Sequence, residues 1–186
     1  MPKNDGPGRL TCLTACALLW VIIQTLLSAV QAIHVRPLVR DGRVYVSFKL
    51  SDAFSNEIRA AIHSGLTITF VYDVDLRRSA TAWMDRTIDA ATVSAAVQYD
   101  NLARRYHVSL LADGRLEETK TLDREEDARR WLTEFERLNL FSSERLERNV
   151  EYYVRVRART TPRNTTFVWP WQVTDVAGLA KFTFLK

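Results

Sequence analysis

The chain has 186 residues, of which 47% are hydrophobic and only 6 are Gly and 5 are Pro, so collagen-like, low-complexity and disordered chains are excluded. Its formal charge is +4, but acidic residues are interleaved with the arginines, a pattern that does not favour nucleic-acid binding. Both cysteines, Cys12 and Cys16, lie near the N-terminus, which excludes disulfides, thiolate metal sites and cysteine nucleophiles from the rest of the chain.

An apolar segment over residues 10–30 follows nine mostly polar residues. Its length suits a membrane span of about 20 residues. Alternatively, the small residues of Val30-Gln31-Ala32 fit a signal-peptidase site, and cleavage there would make Ile33 the first residue. With either a retained anchor or a cleaved signal in residues 1–32, we expect one extracytoplasmic domain over 33–186, periplasmic or tethered to the inner membrane.

The first predicted elements of that domain are a hairpin, a short helix and a strand. Apolar and polar residues alternate over 44–50 after an Asp-Gly turn, which predicts a hairpin with 33–39. Apolar residues at helical spacing, followed by Gly65, predict an amphipathic helix over 53–63. Alternation over 68–76 predicts a strand with one face towards the core.

Four further strands are predicted along the chain. Three of them, over 93–100, 105–111 and 115–121, are expected to form a meander in which the last two are joined by an Asp-Gly turn. The fourth, over 152–158, carries a ladder of arginines on one face. The C-terminal segment 167–186 contains a Trp-Pro-Trp sequence whose proline is expected to confine it to a sheet edge.

A longer helix is predicted over 124–138 between these strands. Asp123 and Glu126 have the spacing of a capping box at its start. The apolar stripe that defines the helix consists of Ala128, Trp131, Leu132, Phe135 and Leu138. These side chains are expected to pack in the core.

The order of these elements predicts a mainly β or α+β domain. About eight strands, nearly all in hairpin order, with two helices and no βαβ alternation, are typical of an antiparallel β-sandwich-like fold.

Two acidic residues, Asp73 and Asp75, are predicted to share one face of their strand because they are two residues apart. They could act as paired catalytic carboxylates or as ligands of a hard cation, although such cations need several oxygens converging from a loop. The alternative is that they form structural charge pairs with Arg155 and Arg157 on a neighbouring strand. The second interpretation is favoured.

A candidate binding surface is predicted from polar and aromatic residues in two turns. Trp and Arg are enriched at protein-binding hot spots, and a tryptophan beside polar groups also suits a sugar ring. A structural role, in which the tryptophan closes the end of the sandwich, is the alternative. The candidate residues are Arg77, Arg78, Trp83, Asp85, Arg104 and Arg105.

The sequence does not favour an enzyme with a recognisable catalytic set. His34, His63 and His107 are too scattered to indicate a metal site, and no glycine-rich phosphate loop is present. His107 and Asp100 could pair for acid-base chemistry, but no Ser or Thr nucleophile lies at an identifiable elbow. We therefore predict no catalytic residue, no metal and no cofactor.

The block Gln98-Tyr99-Asp100-Asn101-Leu102-Ala103-Arg104-Arg105-Tyr106, together with the earlier Trp83-Met84-Asp85, resembles a family. It is a bacterial domain-of-unknown-function family of exported or membrane-anchored proteins, and the resemblance spans roughly residues 33–160. The family pattern has a second Trp where Met84 stands, and the chain also departs from it around 162–171. The resemblance implies a small bacterial envelope protein and supplies no activity.

The leading hypothesis is a non-catalytic interaction module with a protein partner in the cell envelope or membrane. One alternative is a carbohydrate- or lipid-headgroup-binding protein, which could extend to a hydrolase using Asp73, Asp75 or Asp85. Another is an accessory subunit or sensor for a membrane signalling protein. Contact with the membrane itself is expected through residues 10–30 if they are retained, and no nucleic-acid partner is expected.

Overall fold

The computed structural model of the chain describes residues 33–51, 53–79, 85–162 and 176–185. This part of the chain forms two antiparallel sheets and two helices, which confirms the predicted β-sandwich-like fold class. The strands are β1 (Ile33–Arg40), β2 (Arg43–Leu50), β3 (Ile68–Arg78), β4 (Arg86–Asp100), β5 (Arg105–Ala112), β6 (Arg115–Leu122), β7 (Glu134–Ser142), β8 (Glu151–Pro162) and β9 (Val176–Thr183). The helices are α1 (Asn56–His63) and α2 (Glu125–Thr133).

Three sequence-based predictions lie outside the described residues. They are the anchor or signal in residues 1–32, the side chain of Trp83, and the Trp-Pro-Trp sequence within 167–175. No helix in the described ranges combines the length and apolar character that crossing a membrane requires.

The small sheet has the strand order β1-β2-β7 and begins with the predicted hairpin. Its turn residues Asp41 and Gly42 both have positive φ, at 50° and 76°. Asp113 and Gly114 repeat this geometry between β5 and β6, at 49° and 77°. Asp-Gly suits such turns because both central residues must adopt positive φ, so the two hairpins could be predicted from local sequence.

The large sheet has the strand order β6-β5-β4-β3-β8-β9. Its central strand β3 runs antiparallel to β4, with Ile68 opposite Val97, and antiparallel to β8, with Tyr72 opposite Ala158. The partner β8 is distant in sequence, so this pairing brings together two segments that hairpin rules do not connect. Strand β4 begins at Arg86, seven residues before the predicted start at 93.

The core lies between the inward faces of the two sheets. Phe48 of β2, Tyr72 of β3 and Phe135 of β7 form an aromatic cluster with ring centroids 4.6 to 5.1 Å apart. The hydroxyl of Tyr72 donates a hydrogen bond to the carbonyl oxygen of Leu132 in α2, which satisfies a buried polar group. Burial raises the pKa of Tyr72 far above its ordinary value, so this side chain stays a neutral donor.

The two sheets approach each other closely where β9 faces β1. A Cβ added to Gly178 would lie 2.3 Å from the carbonyl oxygen of Ile33, which is far closer than atoms can pack. Ile33 is fully buried at this contact. The glycine is therefore needed for close approach of two backbones and not for a turn.

The helix predicted over 124–138 is shorter than expected. Helix α2 ends at Thr133, and the chain continues directly as β7, so the prediction for residues 134–138 is wrong. In β7, Phe135 lies opposite Phe48 and Leu138 lies opposite Val46, so three steps in β7 match two in β2. This β-bulge gives core-facing residues a spacing of three, which resembles helical spacing.

The start of α2 also differs from the prediction. Its N-cap is Arg124, which makes no side-chain capping hydrogen bond, so the predicted capping box of Asp123 and Glu126 is wrong. The Asp123 carboxylate instead lies 3.0 Å from Arg105 Nε. The first predicted helix, over 53–63, ends at His63 as predicted but begins three residues later, at Asn56. The hydroxyl of Ser55 caps it by accepting a hydrogen bond from the N–H of Ile58.

Candidate functional site

The outer face of the large sheet carries an ordered set of charged side chains on β3 and β8. Side chains alternate between faces along a strand, so the residues between the core-facing ones point away from the core. The antiparallel register places Asp75 opposite Arg155 and Asp73 opposite Arg157. We call this set the arginine–aspartate face, and it consists of Asp73, Asp75, Arg77, Tyr153, Arg155, Arg157 and Arg159.

Asp75 is the most buried charged residue of this face, with 8% of its surface exposed. Its Oδ2 accepts hydrogen bonds from Arg155 Nε at 3.1 Å and from Arg155 Nη2 at 2.6 Å. Arg157 Nη2 lies 3.6 Å from the same oxygen, which is too long for a hydrogen bond. Asp75 is therefore bound by Arg155 and only approached by Arg157.

Asp73 pairs diagonally and not with the residue opposite it. Both of its carboxylate oxygens lie 2.9 Å from Arg159 Nη2. The opposite residue, Arg157, consequently has no hydrogen-bonded carboxylate among the described residues. Its Nε is buried and has no hydrogen-bond partner in that part of the chain.

One end of the face is closed by contacts to Asp85. Arg77 Nη2 donates a hydrogen bond to the backbone carbonyl of Asp85 at 2.9 Å, and the hydroxyl of Tyr153 donates to Asp85 Oδ2 at 2.6 Å. The Arg77 guanidinium also lies over the Tyr153 ring, 5.7 Å from its centroid. Burial, with the hydrogen bond to Asp85 adding to it, raises the pKa of Tyr153. These contacts hold the aromatic ring and both charges in place.

The geometry of the aspartates does not favour catalysis or metal binding. Oxygens of Asp73 and Asp75 already accept arginine N–H groups, and both residues project from a regular strand and not from a converging loop. No group of three or more metal-ligating side chains occurs in the described ranges. A hydrolase would need carboxylates that are available to a substrate or a water molecule.

Three depressions of the surface are formed by other residues. One of about 580 Å³ lies along the small sheet, between His34 and Glu136, and one of about 460 Å³ lies beside His107 and Thr121. The third, also about 460 Å³, includes Leu110 of β5. Asp73, Asp75 and Asp85 line none of the three, which does not support the carbohydrate or hydrolase alternative.

The five predicted binding residues that the structure describes do not form one surface. Arg78 is paired with Arg86 across the hairpin, and its Nη1 lies 2.6 Å from Glu147 Oε1. Arg104 lies in the turn between β4 and β5, and Arg105 is the first residue of β5, beyond the opposite end of β3. Ten residues of strand separate the two ends, roughly 33 Å. The prediction of a single face that includes Arg104 and Arg105 is therefore wrong, because the turns before and after β4 lie at opposite ends of the sheet.

The end of the sheet near that turn has its own polar cluster, which sequence reasoning missed. Arg59 Nε and His63 Nε2 of α1 lie 2.5 and 3.1 Å from the Glu125 carboxylate of α2, and the His63 ring lies 4.9 Å from the ring of Tyr99. Burial alone would raise the pKa of Glu125, but the hydrogen bonds from His63 and Arg59 outweigh it and lower the pKa. Their four-residue spacing places Arg59 and His63 on one helix face, but nothing local identifies Glu125 as their partner.

Asp100 holds the turn between β4 and β5, and His107 lies near it on β5. Asp100 Oδ1 accepts hydrogen bonds from the backbone N–H groups of Ala103 and Leu102, which lower its pKa. His107 Nε2 lies 3.8 Å from Asp100 Oδ2, and its Nδ1 lies within 3.3 Å of the hydroxyl of Thr121. The carboxylate is thus engaged in fixing the turn, a common use of Asp in this position.

Comparison with known proteins identifies the family. Residues 28–164 match the family described as Domain of unknown function (DUF4390), and the chain belongs to this family. The match confirms the predicted membership of a family of unknown function, while the bacterial source and envelope location stay predictions. No curated protein matches the chain, and no solved structure does.

Proposed function

We propose that this protein is a non-catalytic interaction module that acts outside the cytoplasm and binds a protein partner of the cell envelope through the arginine–aspartate face. The observation that carries the proposal is the fixed array of arginine and tyrosine side chains on this face. Arg77, Tyr153 and Arg155 are each held by a specific neighbour. Arg and Tyr are the residue types most enriched, with Trp, at binding hot spots.

Preorganisation supports binding at this face. Immobilising a flexible arginine on association costs entropy, and here that cost is met during folding because hydrogen bonds already hold Arg155 and Arg159. Two of the neighbouring exposed residues are small, with Ala90 opposite Asp75 and Ala177 opposite Arg157. A partner can therefore approach these two charged groups closely.

The N-terminal sequence supports the location. The apolar residues 10–30 fit an export signal or a membrane anchor, and both would deliver residues 33–186 to the far side of the membrane. The accessory-subunit hypothesis is a special case of this proposal, in which the partner is a membrane signalling protein. We expect alkaline phosphatase fused after Lys186 to be active in the bacterial host, and an inactive fusion would contradict export.

Photo-crosslinking in living cells tests the binding face. A photoreactive amino acid replaces Ala177, which is exposed and pairs with Arg157 across β8 and β9. A matched position is Thr119, exposed on β6, which lies five strands away in the same sheet, roughly 24 Å. We expect a discrete adduct from position 177 and none of the same mass from position 119. Equal adducts from both positions, or none from position 177, would refute the assignment of this face.

A further inference from the structure

Among the residues of the arginine–aspartate face, Arg157 differs from its neighbours in having no acceptor of its own. Asp75 is bound by Arg155, and Asp73 is bound by Arg159, so two carboxylates serve three arginines. Arg157 lies in the middle of that ladder, and its one contact with a carboxylate among the described residues is the 3.6 Å approach of Nη2 to Asp75. Its Nε, like that of Arg77, is buried and has no hydrogen-bond partner there. Arg157 is therefore the arginine of the ladder that lacks a hydrogen-bonded carboxylate.

We infer that Arg157 is the docking point for a carboxylate of the protein partner, presented by an extended acidic segment. The inference rests on the proposed function and specifies the chemistry of the partner. The planar guanidinium presents its two Nη groups as a fork, and a carboxylate can accept N–H groups from both at once. Such a bond would give Arg157 the hydrogen-bonded carboxylate that Arg155 and Arg159 already have.

The spacing of the ladder points to an extended peptide. Arg155, Arg157 and Arg159 are two residues apart on one strand face, so they repeat at about 7 Å. Acidic side chains at alternate positions of an extended partner segment repeat at the same distance. Arg157 and Arg159 keep 41% and 56% of their side-chain surface exposed, so such a segment can reach them from solvent.

The charge of the ladder points in the same direction. Its three arginines and two aspartates leave one positive charge, so the ladder attracts a negatively charged segment. The tetrahedral shape of a phosphate gains nothing from the regular spacing of the arginines. We therefore expect a carboxylate-bearing segment to bind better than a phosphate.

A titration of the full chain in detergent micelles tests this inference. The probes are a synthetic peptide that alternates Asp and Thr, the same peptide with Asn in place of each Asp, and inorganic phosphate. The readout is the NMR signal of the Arg157 Nε–H group together with the dissociation constant. We expect the Asp peptide to shift this signal and to bind at least tenfold more tightly than the Asn peptide or phosphate.

Variants separate the guanidinium fork from simple charge. Arg157→Gln is expected to weaken binding of the Asp peptide at least tenfold. Arg157→Lys keeps the charge and loses the fork, and a loss of severalfold is expected. Arg129→Gln makes the same change in charge at an exposed position of α2 and is expected to leave binding unchanged. Equal losses in Arg157→Gln and Arg129→Gln, or phosphate binding as tightly as the Asp peptide, would overturn the inference.

The crosslink at position 177 distinguishes failure of this inference from failure of the proposed function. An adduct whose crosslinked peptide is acidic, and whose yield falls at least fivefold in Arg157→Gln, supports both. An adduct with a neutral or basic peptide, insensitive to Arg157→Gln, overturns the carboxylate docking and leaves the interaction module standing. The absence of any adduct at position 177 refutes the proposed binding face and the inference with it.

Discussion

Consecutive residues of β3 face two very different environments. Tyr72, Val74 and Leu76 are fully buried between the sheets, where they pack against apolar side chains. Asp73 and Asp75, which alternate with them, point to the arginine–aspartate face and are bound by arginines of β8. The same strand thus serves a core on one side and a charged array on the other.

The core face and the arginine–aspartate face contribute differently to stability and function. Burying an aliphatic side chain contributes about 1.5 to 3 kcal/mol. A partly exposed ion pair contributes about 0 to 1 kcal/mol. Stability alone therefore accounts well for the core face and poorly for four arginines on the other. Recognition of a partner would explain why these arginines are present.

The largest effect is expected from truncating the core face. Leu76→Ala removes a fully buried side chain, and we expect unfolding to become easier by about 2 to 5 kcal/mol. Urea denaturation measures this change. Leu116→Ala, at a side chain that is 63% exposed, is the control and should change stability by less than about 0.5 kcal/mol. Similar losses in the two variants would mean that the core is placed wrongly.

The edge of the core is tested by Gly178→Ala. The added methyl group would overlap the carbonyl of Ile33, and the repacking is expected to cost about 1 to 3 kcal/mol. Ile33→Ala in the same chain should give no rescue, because the nearest obstacle is a backbone oxygen. Thermal unfolding of the single and double variants measures both effects, and an unchanged melting temperature in Gly178→Ala would contradict the close approach of β1 and β9.

Replacing Asp75, the buried aspartate of the arginine–aspartate face, is expected to lower stability by a similar or smaller amount. Asp75→Ala leaves two Arg155 donors without their acceptor, at a cost of about 1 to 3 kcal/mol. Asp73→Ala is the matched variant, and it should cost less than about 1 kcal/mol because its partner Arg159 is more exposed. Denaturant titration of both variants checks the order, which the reverse result would contradict.

Lowering the pH is expected to have a smaller effect on the stability of the fold. The pKa values of Asp100, Glu125 and Glu151 are lowered in the folded state by hydrogen bonds or ion pairs, so the unfolded state binds protons more readily. Stability from these groups is complete above their ordinary pKa values and is lost as pH falls through the lower folded-state values, below about pH 5. The melting temperature should therefore fall on acidification, and Glu125→Gln should make that fall less steep. An identical slope in the variant would argue against the ion pairs of Glu125.

The smallest effect on stability is expected at the residue assigned the largest role in binding. Arg157→Gln removes a guanidinium with one long contact to Asp75, so we expect a change within about 0.5 kcal/mol. Urea denaturation of this variant, beside that of Asp75→Ala, measures the difference. A loss as large as that of Asp75→Ala would assign Arg157 a structural role.

Much of the candidate site could be predicted from sequence. Alternation along β3 placed Asp73 and Asp75 on one face of that strand, and alternation along β8 placed its arginines together in the same way. The opposite charges indicated that the two strands are neighbours with these side chains on the same face of the sheet. The grouping of Arg104 and Arg105 with Arg77 is wrong, because the turns before and after β4 lie at opposite ends of the sheet whatever the length of that strand. Sequence reasoning also missed the first seven residues of β4. Ala90 and Ala91 differ little in hydrophobicity, so the alternation that indicates a strand is absent there.

The sequence by itself determined the features that depend on neighbours along the chain, namely the Asp-Gly hairpins, the period of the strands and the end of α1 before Gly65. Only the tertiary structure decided that Asp73 binds Arg159 and not Arg157. A diagonal ion pair between neighbouring strands depends on strand twist and on which other partners compete for the same side chains. The tertiary structure also decided that residues 134–138 form a bulged strand, since a spacing of three fits both a helix and a bulge. Pairing with β2 selects between them.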